Sequence, residues 1–225
     1  MKSIKIIISR FNEDLSWMRE NPFNKFRYIV YNKGINEQFE KCNVDEIVNL
    51  PNIGKCDHTY LYHIVNNYDN LNDINVFFPG CLNIEFKKNE AKQILNGILK
   101  YRTAIFYGAH TNDNKQHFHN FTLDNWTSID TANNTLNPET KTYPAKLRPY
   151  GRWFRYMFGN IKVHWYCLHG ILSIHKKDIL KHNIQRYIQL VNAVGVHSNP
   201  EVGHYIERSW AAIFYPLLYT KIISY

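Results

Sequence analysis

The sequence predicts an α/β fold in which a central, twisted, mostly parallel sheet is flanked by helices. Short apolar runs alternate with segments of helical spacing through the first half of the chain, as in doubly wound sheets. Glycine, proline and asparagine close most of these runs, as they do at turns. The 225 residues are 44% hydrophobic, which is enough for one sizeable core. We therefore expect one domain over residues 1–225, because neither a linker nor an internal repeat is visible.

The predicted strands of the first half are short and rich in β-branched or aromatic side chains. The clearest is the run IKIIIS at residues 4–9, since such a run fits a strand that is buried on both faces. The other predicted strands are residues 26–31, 46–50, 74–78 and 103–107. Helical spacing predicts helices over residues 12–19, 56–68 and 89–101.

The second half has a less regular pattern. Residues 110–149 are rich in Asn, Thr, Asp and Pro, which indicates either a functional loop or short strands that the pattern does not reveal. Regular signals return at residues 150–158, followed by a predicted strand over 171–174 and helices near 176–194 and over 201–214. Residues 210–225 are apolar but contain Pro216 and Lys221, so we expect a core element or a weak surface contact and no membrane span.

The net charge of +8 and the sequence pI of about 9.2 predict an attraction for anions. Lysine and arginine are scattered and form no basic arm, which favours a solvated surface over a nucleic-acid interface. The excess charge also suits a diphosphate ligand. Nucleic-acid binding is therefore the weakest of the function classes that we consider.

The four cysteines are too few and too widely spaced for a disulfide scaffold or a zinc site. They are Cys42, Cys56, Cys81 and Cys167. Reduced thiols and a cytoplasmic location are the expectation. The apolar run near the N-terminus is too short for a secretory signal, and charged residues follow it at once.

Candidate ligand-binding residues follow the predicted strands, because open α/β sheets bind ligands outside the carboxyl ends of their strands. After the first strand, Arg10 is suited to a phosphate, while Asn12 and Asp14 are suited to a base or ribose. A helix N-cap with acidic residues in the first turn is the structural alternative for the same segment.

Turns that combine a lysine with a glycine follow the second and third strands. The first is Asn32-Lys33-Gly34, and the second is PNIGK at residues 51–55. Gly54 precedes a predicted helix, whose free N–H groups form an anion site. Neither turn has the spacing of a P-loop, and an ordinary turn explains each one alone. With the segment that follows the first strand, they make three such segments at one edge of the sheet, and together these favour anion binding.

The sequence HFH at residues 117–119 raises the question of a metal site. His117 and His119 would share one face of a strand, but no acidic residue or cysteine nearby supplies a third ligand. We interpret the segment as a polar surface loop. A nucleophile elbow, an HExxH motif and a GxGxxG fingerprint are also missing from the sequence, which argues against hydrolase and NAD-dependent chemistry.

The segment GHYIERSW at residues 203–210 places three chemically useful side chains at the start of an amphipathic helix. Glu207 is suited to taking a proton from a sugar hydroxyl, Arg208 to holding phosphate and Trp210 to stacking on a sugar. The alternative is structural, an Arg–Glu pair beside a buried tryptophan, and both interpretations stay open.

Seven segments, in this order, resemble a group of glycosyltransferase-like proteins of large DNA viruses and fungi. The group includes the N-terminal glycosyltransferase domain of a chlorella-virus protein that helps to build capsid glycans. The segments are IISRFNEDLSW (7–17), YNKG (31–34), LPNIG (50–54), HTYLYHI (58–64), FFPG (77–80), LRPYGRW (147–153) and ERSW (207–210). The resemblance covers nearly the whole chain and is specific only as an ordered set.

The resemblance implies a GT-A fold, a nucleoside-diphosphate sugar donor (UDP-linked by preference) and a Mn²⁺ or Mg²⁺ ion. It implies a role in viral or surface glycan synthesis, in the host cytoplasm if the chain is viral. It also implies these residues at the nucleotide: Ser9, Arg10, Asn12, Asn32, Lys33, Gly54 and Asp57. This sequence departs from the broader GT-A pattern in one respect. The strand that usually ends in a D-x-D metal motif ends here in FFPGC (77–81). Cationic side chains are therefore the alternative for neutralising the diphosphate.

The leading hypothesis is an enzyme in which Glu207 acts as the base of an inverting displacement at the anomeric carbon. Positioning of the donor and a glycan or glycoprotein acceptor would supply much of the rate. The rival hypothesis is a non-catalytic nucleotide- or glycan-binding module on the same fold.

Overall fold

The computed structural model describes residues 2–111, 118–124 and 142–224. Its eight strands are β1 (Ile4–Arg10), β2 (Tyr28–Asn32), β3 (Val44–Asn49), β4 (Ile74–Pro79), β5 (Ile105–His110), β6 (Trp165–Tyr166), β7 (Leu172–His175) and β8 (Lys221–Ser224). A five-stranded sheet has the order β3-β2-β1-β4-β7, with the first four strands parallel and β7 antiparallel to β4. The predicted α/β fold with a mostly parallel central sheet is confirmed.

Helices cover the sheet. The six helices of the described residues are α1 (Lys55–Asn66), α2 (Glu85–Tyr101), α3 (Tyr150–Phe158), α4 (Lys176–Leu180), α5 (Ile184–Val194) and α6 (Glu201–Ile213). Buried side chains form two hydrophobic clusters, and alternate residues of β1 belong to different ones: Ile7 to the first, Ile6 and Ile8 to the second. This alternation follows from the period of two along a strand that is covered on both faces.

A smaller sheet of order β6-β5-β8 adjoins the central one. The Ser173 hydroxyl on β7 donates to the Ile105 carbonyl (2.8 Å) and accepts from the Ile105 amide (2.7 Å), which ties β5 to the edge of the central sheet. The end of the apolar C-terminal stretch is β8, which pairs with β5 in parallel. No helix in the described ranges is long and apolar enough to cross a bilayer.

The helix predicted over residues 12–19 is wrong, because only Ser16–Arg19 form a helical turn, of the 3-10 type. The Asp14 carboxylate accepts hydrogen bonds from the Ser16 amide (2.9 Å) and hydroxyl (3.0 Å). The Glu13 carboxylate accepts from the amides of Phe11 (2.7 Å) and Asn12 (3.1 Å). Acidic side chains therefore bind backbone groups locally and compete with helix formation.

The single helix predicted near residues 176–194 is also wrong, because α4 and α5 are separate. Asn183 lies between them and its side chain accepts a hydrogen bond from the Gln185 amide (2.9 Å), which caps α5. Local capping chemistry outweighed the continuous helical pattern. The one-domain interpretation stays a prediction.

The buried Glu201 side chain, at the first residue of α6, holds two loops against that helix. Its carboxylate accepts from the amides of Leu123 (2.8 Å) and Ala145 (2.7 Å) and pairs with the Arg148 guanidinium at 2.9 Å. Glu201 and its hydrogen bonds to the two amides are buried, whereas Arg148 also pairs with Asp124 at 2.6 Å. Removing Glu201 would leave buried N–H groups without an acceptor.

We therefore expect Glu201→Ala to lower the free energy of unfolding by about 3 kcal/mol, measured by urea denaturation. Glu85→Ala is the matched control, because Glu85 is also the first residue of a helix but is exposed. It should cost about 0.5 kcal/mol or less. Equal losses in the two variants would contradict the anchoring role of Glu201.

Candidate functional site

The site candidates lie at the carboxyl edge of the parallel strands. Residues 9–13 end β1 and continue beyond it, residues 32–34 do so for β2, and residues 79–81 for β4. The N-terminus of α1 follows β3 at the same edge. The residues just before β7 also lie at this edge, because β7 is antiparallel to β4. Its first residue, Leu172, pairs with Phe77 near the end of β4. Parallel topology therefore brings five segments together.

Arg10 organises this edge from inside the protein. Its guanidinium is fully buried and donates to the Glu13 carbonyl (2.7 Å), the Asn36 carbonyl (2.6 Å) and the Asn32 side-chain oxygen (2.6 Å). It also lies over the Phe39 ring, 4.1 Å from the centroid. These contacts assign Arg10 a structural part in joining the loops after β1 and β2. Its predicted contact with phosphate would require the guanidinium to leave them.

Three further predicted residues surround Arg10. Asn32 is buried and donates to the Gly34 carbonyl (2.9 Å) as well as accepting from Arg10. Ser9 shares a hydrogen bond of 2.9 Å with the Thr59 hydroxyl on α1. Asn12 is exposed beside Gly34. Of these, Asn12 is the side chain that solvent reaches most readily.

Lys33 crosses from the end of β2 to the start of α1. Its ammonium donates to the Ile53 carbonyl at 2.6 Å and to the Lys55 carbonyl. Burial lowers the pKa of Lys33 to about 8, although the nearby Cys56 and Asp57 act to raise it. Gly54 sits between these contacts with φ of +62°, and a Cβ there would lie 2.8 Å from the Val194 carbonyl oxygen. Glycine is therefore required for the tight entry into α1.

Asp57 and Glu207 are the chemically distinctive pair. Asp57, on the first turn of α1, is only 4% exposed, and burial together with the Glu207 charge raises its pKa well above the usual value. Burial also raises the pKa of Glu207, on α6, against the opposing influence of Arg208, His169 and Lys87. The two carboxyl groups interact, so they titrate as a pair.

The Asp57 carboxyl keeps one oxygen without a partner. Oδ1 is buried and makes no hydrogen bond to any described residue. The indole N–H of Trp210 is close enough to lower the Asp57 pKa, yet the geometry is not that of a hydrogen bond, and Nε1 is likewise unpartnered. An unsatisfied buried carboxyl oxygen is costly, and such groups concentrate at functional sites.

Lys87, Cys56 and Cys81 complete this cluster, and sequence reasoning assigned none of them. The Lys87 ammonium lies 3.1 Å from the Cys81 sulfur. Burial acts to lower the Lys87 pKa, but Cys81, Cys56 and Glu207 raise it above its usual value. The signal in the sequence was the position of Lys87 in the first turn of the helix that follows β4, the same kind of position as Asp57 after β3.

The structure thus brings together Lys33, Gly54, Asp57 and Glu207, with Lys87 added. It does not bring all the predicted residues to one ligand surface. Trp210 is 1% exposed, and its ring packs against Phe214 (centroids 5.7 Å apart) and Tyr60 (6.1 Å). It has no free face for a sugar. Its contribution to the site is the indole N–H near Asp57.

Arg208 influences Glu207 through its charge, but its printed contacts lie outside this cluster. Its guanidinium stacks on the Phe121 ring, 3.5 Å from the centroid, and NH1 donates to the His204 carbonyl at 2.9 Å. It lines a separate cavity beside α3 and β6. Neighbouring residues of a helix diverge by about 100°, so Glu207 and Arg208 serve different surfaces of α6.

The histidine pair considered as a metal site is only partly described. His117 lies outside the described residues, and the His119 ring is stacked on Tyr150 with centroids 5.8 Å apart. Within the described ranges, no group of three or more His, Cys, Asp or Glu side chains is arranged to hold a metal ion. All four cysteines are free thiols.

Comparison with known proteins identifies the family. Residues 6–219 match the family described as "Protein of unknown function (DUF3431)", and the chain belongs to it. The match covers most of the chain and extends from within β1 to beyond α6. No curated protein matches the sequence significantly.

The buried carboxyl of Asp57 predicts a pH-dependent stability. In the folded chain Asp57 keeps its proton at pH values where the unfolded chain has lost it, so the folded state binds more protons. The free energy of unfolding must therefore fall as pH rises from about 4 towards the raised pKa. Asp57→Asn removes this dependence. Its stability advantage over the natural chain should grow by about 1.4 kcal/mol per pH unit in that interval.

Urea denaturation at pH 5, 6 and 7 measures this difference. The exposed Asp69→Asn is the matched control, and its difference from the natural chain should stay constant across the three values. A constant difference for Asp57→Asn would mean that the carboxyl is not held protonated by its surroundings.

Proposed function

We propose that this member of the DUF3431 family is a glycosyltransferase that moves a sugar from a nucleoside-diphosphate sugar, UDP-linked by preference, to a glycan acceptor. The observation that carries the proposal is the carboxyl pair formed by the buried Asp57 and the half-buried Glu207, flanked by Lys33 and Lys87, at the carboxyl edge of the parallel sheet. This is where open α/β folds bind nucleotides. The resemblance to viral and fungal glycosyltransferase-like proteins supports the GT-A assignment and a role in viral or surface glycan synthesis.

The chemistry requires a base, a stabilised leaving group and exclusion of water. The acceptor hydroxyl oxygen forms a bond to the anomeric carbon, and the bond from that carbon to the diphosphate breaks with its electron pair leaving on the diphosphate. Glu207 takes the hydroxyl proton. Its raised pKa suits this task, because a base works best when its pKa is near the operating pH.

Cationic groups offset the negative charge that develops on the diphosphate. Lys33, just after β2, and Lys87, in the first turn of α2, lie at this cluster, and fixed charges in a partly dry site stabilise such a leaving group strongly. The start of α1, beyond Gly54, adds the positive end of a helix dipole at the same edge. Asn12 is available to the nucleoside at the exposed side of the same edge.

We derive no step through a metal ion. The D-x-D motif is missing, and the described residues hold no three-ligand group for Mn²⁺ or Mg²⁺. Metal dependence is tested in the binding experiment, by comparing donor affinity with and without Mn²⁺.

We expect Glu207→Gln to lower turnover by about a thousandfold or more while leaving donor binding within about twofold. The amide keeps the shape of the side chain but cannot accept the proton. Sugar transfer or donor hydrolysis measures turnover, and calorimetric titration with UDP measures binding. Glu85→Gln, at an exposed position, should change neither. If Glu207→Gln keeps full turnover, Glu207 is not the base.

We also expect UDP and UDP-sugars to raise the melting temperature, because a ligand that binds only the folded state stabilises it. Lys87→Gln should weaken UDP binding by about tenfold, since one charge-assisted contact is lost. Lys100→Gln is the control on the same helix, at its exposed far end. The screen is run with and without Mn²⁺.

The outcome separates the two function classes. Binding of UDP-sugars without transfer or hydrolysis would favour the non-catalytic nucleotide-binding module. If Lys87→Gln and the natural chain bind UDP with the same affinity, the diphosphate does not bind at this edge of the sheet.

A further inference from the structure

A second recess borders the face of α6 that carries Arg208, which neighbours the face that carries Glu207. It is a cavity of about 380 Å³ between α3, α6 and β6, a size within the range of small-molecule sites. The partly exposed Phe118, His164 and Trp165 contribute aromatic surface to its wall, and Lys162 and Arg208 contribute positive charge. The described residues that line it include no carboxylate. Its chemistry is therefore aromatic and cationic.

One polar atom in the wall has no partner. The Thr111 side-chain oxygen is buried and makes no hydrogen bond to any described residue, although the Thr111 amide is held by the His164 carbonyl at 2.7 Å. A buried hydroxyl that faces a cavity and lacks a partner is satisfied when a polar ligand or water enters. This observation points to a ligand independently of the cavity's charge.

Arg208 is arranged to bind an anion. Stacking on Phe121 fixes the guanidinium plane, and among the described residues its side chain makes a single hydrogen bond, to the His204 carbonyl. The remaining N–H groups lie in the guanidinium plane, where a carboxylate or phosphate binds in a fork-like geometry. The exposed Lys162 adds a second cation at the cavity.

We propose that this cavity binds the acceptor, and that the acceptor is a sugar carrying an anionic group, either a carboxylate or a phosphate. The aromatic wall suits the apolar face of a sugar ring, the Thr111 hydroxyl suits a sugar hydroxyl, and Arg208 suits the anion. The inference rests on the proposed function. The Arg208 guanidinium is near enough to Glu207 for its charge to lower the Glu207 pKa, so an acceptor anchored by Arg208 lies on the face of α6 that neighbours the proposed base.

The tryptophan indole N–H signals of ¹⁵N-labelled protein provide the test, since the chain has five tryptophans and Trp→Phe variants assign them. Trp165 reports on the cavity. Trp17, whose indole donates to the Gly80 carbonyl at 3.0 Å, reports on the donor edge after β4. The probes are glucuronate, glucose 6-phosphate, glucose and UDP.

We expect glucuronate or glucose 6-phosphate to shift the Trp165 signal saturably, with glucose binding at least about tenfold more weakly. The comparison of the first two probes distinguishes a carboxylate from a phosphate acceptor. Arg208→Gln should lower the affinity for the anionic probe by about tenfold. Lys162→Gln should also lower this affinity, and because Lys162 is exposed the substitution does not threaten folding. Lys25→Gln, an exposed lysine on a different part of the surface, is the control and should have no effect.

Equal affinity for glucose and the anionic sugars, no shift of Trp165 with any sugar, or a Trp165 shift caused by UDP would each overturn the proposal. Failure of the proposed function gives a different result: UDP would leave Trp17 and the melting temperature unchanged. The two hypotheses are thereby tested by separate signals in one protein sample.

Discussion

The proximity of two carboxyl groups that are largely removed from water, the buried Asp57 on α1 and the half-buried Glu207 on α6, is the interaction on which the rest of the proposed site depends. Removing a carboxyl group from water raises its pKa, and a second carboxyl nearby raises it further. Lys33 and Lys87 offset part of this cost without cancelling it. A fold that retains such an arrangement gives up stability for it, and this is expected where the carboxyl groups handle a proton or a ligand.

The basic side chains of this edge have different tasks, which their residue types alone do not reveal. Arg10 is fully buried and donates to carbonyl oxygens of the loops after β1 and β2, so it stabilises these loops from the protein interior. Lys33 also donates to carbonyls but remains near Asp57 and Cys56. The net charge of the chain is therefore not a measure of the charge available to a ligand.

Helix α6 connects the two candidate ligand sites. Its first residue, Glu201, is anchored by the loops around it, which holds the helix in place. Two consecutive residues further along the helix then serve different sites: Glu207 interacts with Asp57, and Arg208 lines the aromatic cavity. A rigid helix is well suited to holding a base and an acceptor-binding cation at a constant separation.

The sequence by itself determined the sheet, because a strand covered on both faces, such as β1, must be apolar whatever surrounds it. It also located Lys33 and Gly54 at one edge, since parallel strands end together, and the resemblance added Asp57. It failed at residues 12–19 and at β6 and β8, where local side-chain hydrogen bonds and distant pairing partners decide the structure. Only the tertiary structure decided that Glu207 meets Asp57 and Lys87 while Trp210 is buried and Arg208 faces a separate cavity. These residues are separated by much of the chain, and burial and charge proximity depend on how the elements pack.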